Sequence, residues 1–297
     1  MQQGDTVAVV SPSGPADAAM LKRGVERLEG LGYKVVVGAH ALDRQEFGYL
    51  AGDDSARAAD LQAAWCDPSV SAVFCARGGY GAGRLLGLLD WDAMRAAGPK
   101  VLLGSSDITA LHNAFAVELG VPTLHGPMVA CDAVAAEDGP EPRTWESLRA
   151  ALSGEPVRVA GDRVLVPGRA AGVLSGGNLS LLASMCGTRW QPSFAGKLAF
   201  LEDIGEEPYR IDRMLTQLLH AGAFDGVRGI ALGSWVQCGD PYAVLADRLG
   251  PLGVPILAGL PVGHGSPQMS VWLGTLGVID TESCSLTGSN RDGEQAR

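Results

Sequence analysis

Lys100-Val-Leu-Leu-Gly-Ser-Ser-Asp-Ile-Thr-Ala-Leu-His-Asn-Ala-Phe115 packs a strand, a turn and a helix start into one short stretch. Val101, Leu102 and Leu103 form an apolar run of the kind covered on both faces of a sheet, and Gly104 removes the side chain where the chain must turn. Ile108, Leu111 and Phe115 then recur at i, i+3 and i+7, a helical stripe for packing against that sheet. Ser106 falls in the turn, beside the unpaired N–H groups at the positive end of the helix, where an oxyanion is stabilised. This is the geometry of a nucleophile elbow. The stretch is not a full Gly-x-Ser-x-Gly, and Ser105, Ser106 or Asp107 would also serve as the N-cap that any such helix prefers.

Outward from this stretch, strands and helices alternate. Thr6–Val10 reads as a strand, 17–31 as a helix with Met20, Leu21, Val25, Leu28 and Leu31 on one face, and 33–37 as a second strand. Helical patterns over 54–65 and 83–89 flank a strand at 71–75. Parallel strands with crossover helices are the economical architecture, with ligands at the carboxyl ends of the strands, where Ser106 lies.

From about 131 to 168 the pattern breaks into Ala-rich, acidic and Gly/Pro-rich sequence, with a short helix over 144–152 and a hairpin expected over 157–166 around Gly161-Asp162. This stretch reads as the connection between an N-terminal domain (1–130) and a C-terminal domain (169–297). The second half is less regular, with strands at 198–201, 227–232, 255–257 and 271–279 and a helix opening at Pro208. Its last residues, 289–297, are polar and read as frayed.

The chain of 297 residues carries a formal charge of −10 and an isoelectric point near 4.9, and it shows no basic cluster. That balance argues against nucleic acid or an anionic membrane as partner. The six cysteines are scattered without a Cys-x-x-Cys pair and read as reduced, buried thiols. No basic segment precedes an apolar run at the N-terminus and no apolar run approaches eighteen residues, so a cytoplasmic protein is expected.

Three loops carry groups with no evident structural duty. The glycines of Ala76-Arg-Gly-Gly-Tyr-Gly-Ala-Gly83 allow a backbone that presents N–H groups to an anion. A dinucleotide fingerprint belongs on the first strand-to-helix turn, which here is Ser11-Pro-Ser-Gly-Pro15, so no nucleotide cofactor is expected. Glu202 lies at the carboxyl end of a strand, where a carboxylate also commonly faces solvent or caps the next helix. His264 lies between two glycines in a Pro- and Gly-rich loop, a place for a surface histidine and equally for an imidazole held in a cleft. The remaining histidines make no metal-binding spacing, and no metal is expected.

Ser11-Pro-Ser-Gly-Pro15, Ala76-Arg-Gly-Gly-Tyr-Gly81, Gly104-Ser-Ser-Asp-Ile-Thr109, His125-Gly-Pro127, Gly176-Gly-Asn-Leu179, Leu201-Glu-Asp-Ile-Gly-Glu-Glu-Pro-Tyr-Arg-Ile-Asp-Arg213 and Pro261-Val-Gly-His264 resemble, in order, the L,D-carboxypeptidases of murein recycling, serine peptidases of the S66 type. The resemblance implies Ser106 as nucleophile, His264 as general base and then acid, and Glu202 as the carboxylate that orients it. The backbone N–H groups of Gly79 and Asp107 would form the oxyanion hole. It implies an α/β fold with an N-terminal parallel-sheet (Rossmann- or flavodoxin-like) domain and a smaller, β-rich C-terminal domain, assembled as a homodimer. The implied activity is release of the terminal D-alanine from a murein tetrapeptide, without metal or cofactor. The free carboxylate of such a substrate needs a binding group, for which Arg77 or the amides near Ser11 and Gly14 are candidates. The same family includes immunity peptidases that inactivate a peptidyl-nucleotide antibiotic; these tend to be longer, with an extra aromatic-bearing loop for which no insertion is evident here. A reading of another class is a non-catalytic module whose glycine loops hold a small ligand.

Overall fold

The apolar runs of the front half form the centre of a six-stranded sheet in a computed structural model, which describes residues 1–290. Strands β1 (Thr6–Val10), β2 (Lys34–Val37), β3 (Ala72–Cys75), β4 (Val101–Gly104) and β5 (Thr123–His125) run parallel. Every residue of β3 and β4 is buried, as parallel strands covered by helices on both faces require. Helix Ala18–Gly30 starts at Asp17, whose side chain accepts the Met20 N–H at 2.9 Å. In helix Thr109–Glu118 the expected stripe is buried, and Phe115 meets Trp65 and Trp91 edge-on, with ring centroids 4.8 and 5.6 Å apart.

The helix expected over 83–89 is only a 3-10 turn, Ala82–Leu85; a separate helix, Trp91–Ala96, begins where Asp90 accepts the Ala93 N–H at 3.0 Å. Strand β5 follows Pro122 directly and, at three residues, is too short to show an alternation in the sequence.

Among the described residues nine further strands follow: β6 (Val157–Ala160), β7 (Arg163–Val166), β8 (Arg169–Asn178), β9 (Lys197–Ile204), β10 (Gly229–Val236), β11 (Ile256–Ala258), β12 (Val271–Leu273), β13 (Leu276–Asp280) and β14 (Ser285–Gly288). All but β12 build the second sheet, in the order β6-β14-β13-β8-β9-β10-β11-β7, with β8 through β11 parallel. The expected 157–166 hairpin does not form. β6 pairs with β14 at one edge and β7 with β11 at the other, although only Gly161 and Asp162 separate them. Their N–H groups donate to Cys284 O and Ala258 O at 2.8 and 3.1 Å. Edges joined by two residues force the sheet to curl round on itself like a barrel, leaving neither edge open to another chain at that point. Residues 131–168, expected as a connection, thus hold helices Asp132–Ala135 and Pro142–Ser153 and both edge strands of the second sheet.

The single strand expected over 271–279 is two. Gly274, at φ 82°, turns the chain between them, and β12 crosses to the first sheet, where it pairs antiparallel with β5. Of the polar end 289–297, Ser289 and Asn290 are buried, with Ser289 N–H on Leu276 O at 2.7 Å; 291–297 lie outside the described residues. Among the described residues no helix is long and apolar enough to cross a membrane.

Candidate active site

Ser106 follows β4 directly and holds φ at 61°, a left-handed conformation that a side chain disfavours and that a tight strand-to-helix turn imposes. The N-cap alternative is not what these side chains do. Ser105 caps the turn Ser106–Ile108 without a side-chain bond, and its Oγ accepts Gln268 Nε2 at 3.1 Å instead. The Asp107 carboxylate is buried, its Oδ2 accepting the Ser13 hydroxyl at 2.5 Å and the Ala82 N–H at 2.7 Å. Burial pushes the Asp107 carboxyl above its usual range, opposed by these two bonds and by the Arg57 charge.

Arg57 is buried too. Its Nη1 donates to the carbonyls of Pro12 and, at 3.0 Å, Gly81, while Nη2 pairs with Asp54. Asp107 and Arg57 therefore tie three loops together: the first strand-to-helix turn, the glycine loop and the Ser106 turn. Sequence reasoning missed both roles, because an arginine inside Asp54-Ser-Ala-Arg57 reads as a solvated helix residue.

The back half supplies the other two groups. Glu202, on β9 opposite Asn178 of β8, is fully buried. Its Oε2 lies 2.7 Å from His264 Nδ1 and also accepts the His264 backbone N–H at 3.2 Å. A carboxylate only accepts, so Nδ1 carries the proton and Nε2 is the basic nitrogen. Gly263, at φ 116°, leaves no room for a Cβ against the Glu202 carboxylate, and Ser234 holds the loop beyond through its Oγ, which accepts the Gly265 N–H at 3.0 Å. Burial disfavours the His264 cation, but the hydrogen bond to Glu202 and the charges of Glu202 and Asp203 outweigh it, so its pKa is raised. Asp203 itself is pushed up to about 6, chiefly by burial.

Ser106 and His264 line one open cleft of about 570 Å³, with Glu202 behind the imidazole. Gly78 and Gly79, the latter at φ 112°, line the same cleft, and so does Arg77, whose Nη1 donates to Pro15 O at 3.1 Å. The other two candidates for substrate contact are committed elsewhere: the Ser11 hydroxyl donates to Ala41 O at 2.7 Å, and the Gly14 N–H to Gly78 O at 3.0 Å. Among the described residues no group of three His, Cys, Asp or Glu side chains is placed to hold a metal ion.

A two-part α/β fold of this kind, with a hydroxyl, an imidazole and a buried carboxylate gathered at one cleft, is that of a serine-type hydrolase. The chain matches the LD-carboxypeptidase N-terminal domain over residues 7–126 and the LD-carboxypeptidase C-terminal domain over 171–279. It belongs to this family, peptidase family S66. It is 54% identical to a putative carboxypeptidase of Streptomyces coelicolor, over 96% of this chain and 93% of that one. It is 39% identical to the probable murein peptide carboxypeptidase of Bacillus subtilis, over 95% and 90%. Among solved structures, it superposes on muramoyltetrapeptide carboxypeptidase from Oxalobacter formigenes at a TM-score of 0.86, with 28% identity and 96% and 99% of the two chains covered. The microcin C7 self-immunity protein MccF superposes at 0.88, with 25% identity and 99% and 98% covered.

Proposed function

We propose that this carboxypeptidase releases the terminal D-alanine of a murein tetrapeptide by a Ser106–His264–Glu202 mechanism, as a cytoplasmic homodimer. The observation that carries the assignment of roles is the buried Glu202 carboxylate 2.7 Å from His264 Nδ1, in a cleft that also holds Ser106. In the first half-reaction His264 Nε2 takes the proton of Ser106 as Oγ attacks the carbonyl of the L,D-bond. The tetrahedral oxyanion is received by the N–H groups of Gly79 and Asp107, each such donor contributing about 3 kcal/mol to lowering the barrier. His264 then gives the proton to the departing amine and D-alanine leaves. Water attacks the acyl-enzyme by the same route in reverse. Glu202 holds the imidazole in the required tautomer and stabilises the imidazolium as it forms. Arg77 is the group in the cleft suited to the free carboxylate of the substrate, since a guanidinium binds a carboxylate through paired donors.

The likeness to MccF, solved with glutamyl sulfamoyl guanosine bound, supports a second substrate class, a peptidyl-nucleotide. The superposition spans 98% of that chain, so overall length does not separate the two. A panel of tetrapeptide, tripeptide, tetrapeptide with inverted terminal chirality and peptidyl-nucleotide does. D-Alanine release from the first substrate alone is expected, with loss in a folded Ser106→Ala variant. Wild-type turnover by that variant would remove Ser106 as nucleophile.

A further inference from the structure

A second cavity lies at the seam between the two lobes and shares no residue with the Ser106 cleft. The front lobe supplies His112 and Asn113 from helix Thr109–Glu118 and Thr123 from β5. The back lobe supplies Ser175 from β8 and Lys197 from β9. Its volume is about 50 Å³. At roughly 10–15 Å³ for each water, that space holds about four waters, the bulk of one small organic molecule and less than a dipeptide.

The lining is polar and unsatisfied. Thr123 is 2% exposed, and its hydroxyl has no hydrogen-bond partner among the described residues. The Ser175 hydroxyl and Lys197 Nζ are likewise without a partner among them, and no carboxylate lines the cavity to balance the lysine. Asn113 Nδ2 donates to Trp190 O, which leaves Oδ1 to accept. His112 Nε2 lies 2.9 Å from Gly104 O, and a carbonyl only accepts, so Nε2 carries the proton and Nδ1 is a lone pair without a donor. Burial lowers the His112 pKa to about 4, which keeps the ring neutral. Buried polar groups are ordinarily paired, so several of them turned toward one space mark a place that an occupant completes.

The donor set defines that occupant. A cation with two hydroxyls suits a carboxylate, whereas an amide oxygen beside an imidazole lone pair suits an ammonium. Val173 and Leu273 supply an apolar wall for a side chain no larger than a methyl group. We propose that this cavity binds a small zwitterionic amino acid of the size of glycine or alanine, its carboxylate on Lys197, Thr123 and Ser175 and its ammonium on Asn113. Such an occupant clasps both lobes. His112 ties its front wall to Gly104, two residues before Ser106, and β8 leads from Ser175 to Asn178, which is paired with Glu202. The site does not depend on the reaction assigned to Ser106.

Calorimetric titration of the full chain with glycine tests it, with acetate, methylammonium and glycylglycine as the comparison ligands. Saturable binding of glycine is expected, about tenfold or more tighter than either acetate or methylammonium, because each carries half of the recognised charge. Lys197→Met and Thr123→Val are expected to weaken glycine binding by about tenfold or more, and Arg77→Ala to change it by less than about twofold. Thr123 is buried, so thermal melts accompany both variants; Lys197 is half-buried at the start of β9, and its variant carries the test if Thr123→Val does not fold. Absence of saturable glycine binding overturns the site, and so does undiminished binding in folded Lys197→Met. Acetate binding as tightly as glycine rejects the zwitterion. Glycylglycine binding as tightly rejects a cavity of this size. Binding lost in Arg77→Ala and kept in Lys197→Met places the ligand in the Ser106 cleft and also overturns the inference.

Discussion

Gln268 Nε2 donates to Ser105 Oγ at 3.1 Å, so the loop that carries His264 is hydrogen-bonded to the residue immediately before Ser106. The same loop is fixed again where the Gln268 N–H meets Thr144 Oγ1 at 2.8 Å. These bonds set the approach of imidazole to hydroxyl across the two halves of the molecule. Gln268→Ala is expected to lower kcat by about 10- to 100-fold, the scale of an ångström of misplacement, with a smaller change in KM. Stopped-time assays with a thermal melt on the same preparation check it; an unchanged kcat in a folded variant contradicts the positioning role.

Gly78 lies against the hydroxyl itself. A Cβ there would fall 3.0 Å from Ser106 Cβ and 3.2 Å from its Oγ, with Met128 Cε at 3.3 Å. Gly78→Ala is expected to push Ser106 off its line of attack and reduce kcat/KM by about 100-fold while costing at most 1–3 kcal/mol of stability, as overpacking does. Comparing the loss in rate with the shift in denaturation midpoint separates the two effects.

Asp107 offers a graded test. Asp107→Asn keeps an oxygen for Ser13 and Ala82, whereas Asp107→Ala strips both donors of their partner; in both variants Arg57 keeps its ion pair with Asp54. The alanine variant is expected to lose about 1–3 kcal/mol of stability. It is expected to lose most activity as well, because the glycine loop is no longer held against the Ser106 turn. Asparagine is expected to restore a substantial part of kcat. If both variants matched the native enzyme in urea titrations and in turnover, the carboxylate would have no part in holding the loops.

The pH profile follows from the His264–Glu202 pair. His264 must be neutral to accept the Ser106 proton and its pKa is raised above the ordinary 6.5, so kcat/KM falls on the acid side with a midpoint above that value. Glu202→Gln removes the charge that raises it and leaves only a neutral amide oxygen as acceptor. The acid limb is expected to move down in pH while kcat drops by about 10⁴-fold, the scale seen when such a carboxylate becomes an amide. For stability the same raised pKa has the opposite sense. The imidazolium–carboxylate contribution is complete below pH 6.5 and is lost as pH rises through the raised value. Rate and melting temperature measured from pH 5 to 9 for both proteins check each sign.

The front sheet was legible because β3 and β4 are continuous apolar runs and the Ile108–Leu111–Phe115 stripe has one period throughout. What failed was long-range pairing. Nothing local in 157–166 shows that Gly161 and Asp162 carry the chain between the two edges of a sheet. Gly161 is demanded there by Ala258 O, which a Cβ would meet at 2.6 Å, rather than by a hairpin turn. Nor does the apolar pattern of 271–279 reveal that Gly274 sends its two parts to different sheets. At the site, loop residue types left Ser106 and His264 open and the family-like motifs singled them out together with Glu202, whereas Arg57 and the Asp107 side chain act through groups remote in sequence, which leave no pattern along the chain.

Strand β12, paired with β5 through Val271↔His125, Trp272↔Leu124 and Leu273↔Thr123, has a consequence for the molecule as a whole. A late segment is stitched into the margin of the early layer, so neither lobe is finished until nearly all of the polypeptide has been made. The seam lies next to the loop of His264, and the mouth of the cleft is therefore framed by a weave instead of a flexible joint. Pulling the lobes apart would mean unpicking that seam, and the alignment on which turnover depends is set when the chain folds.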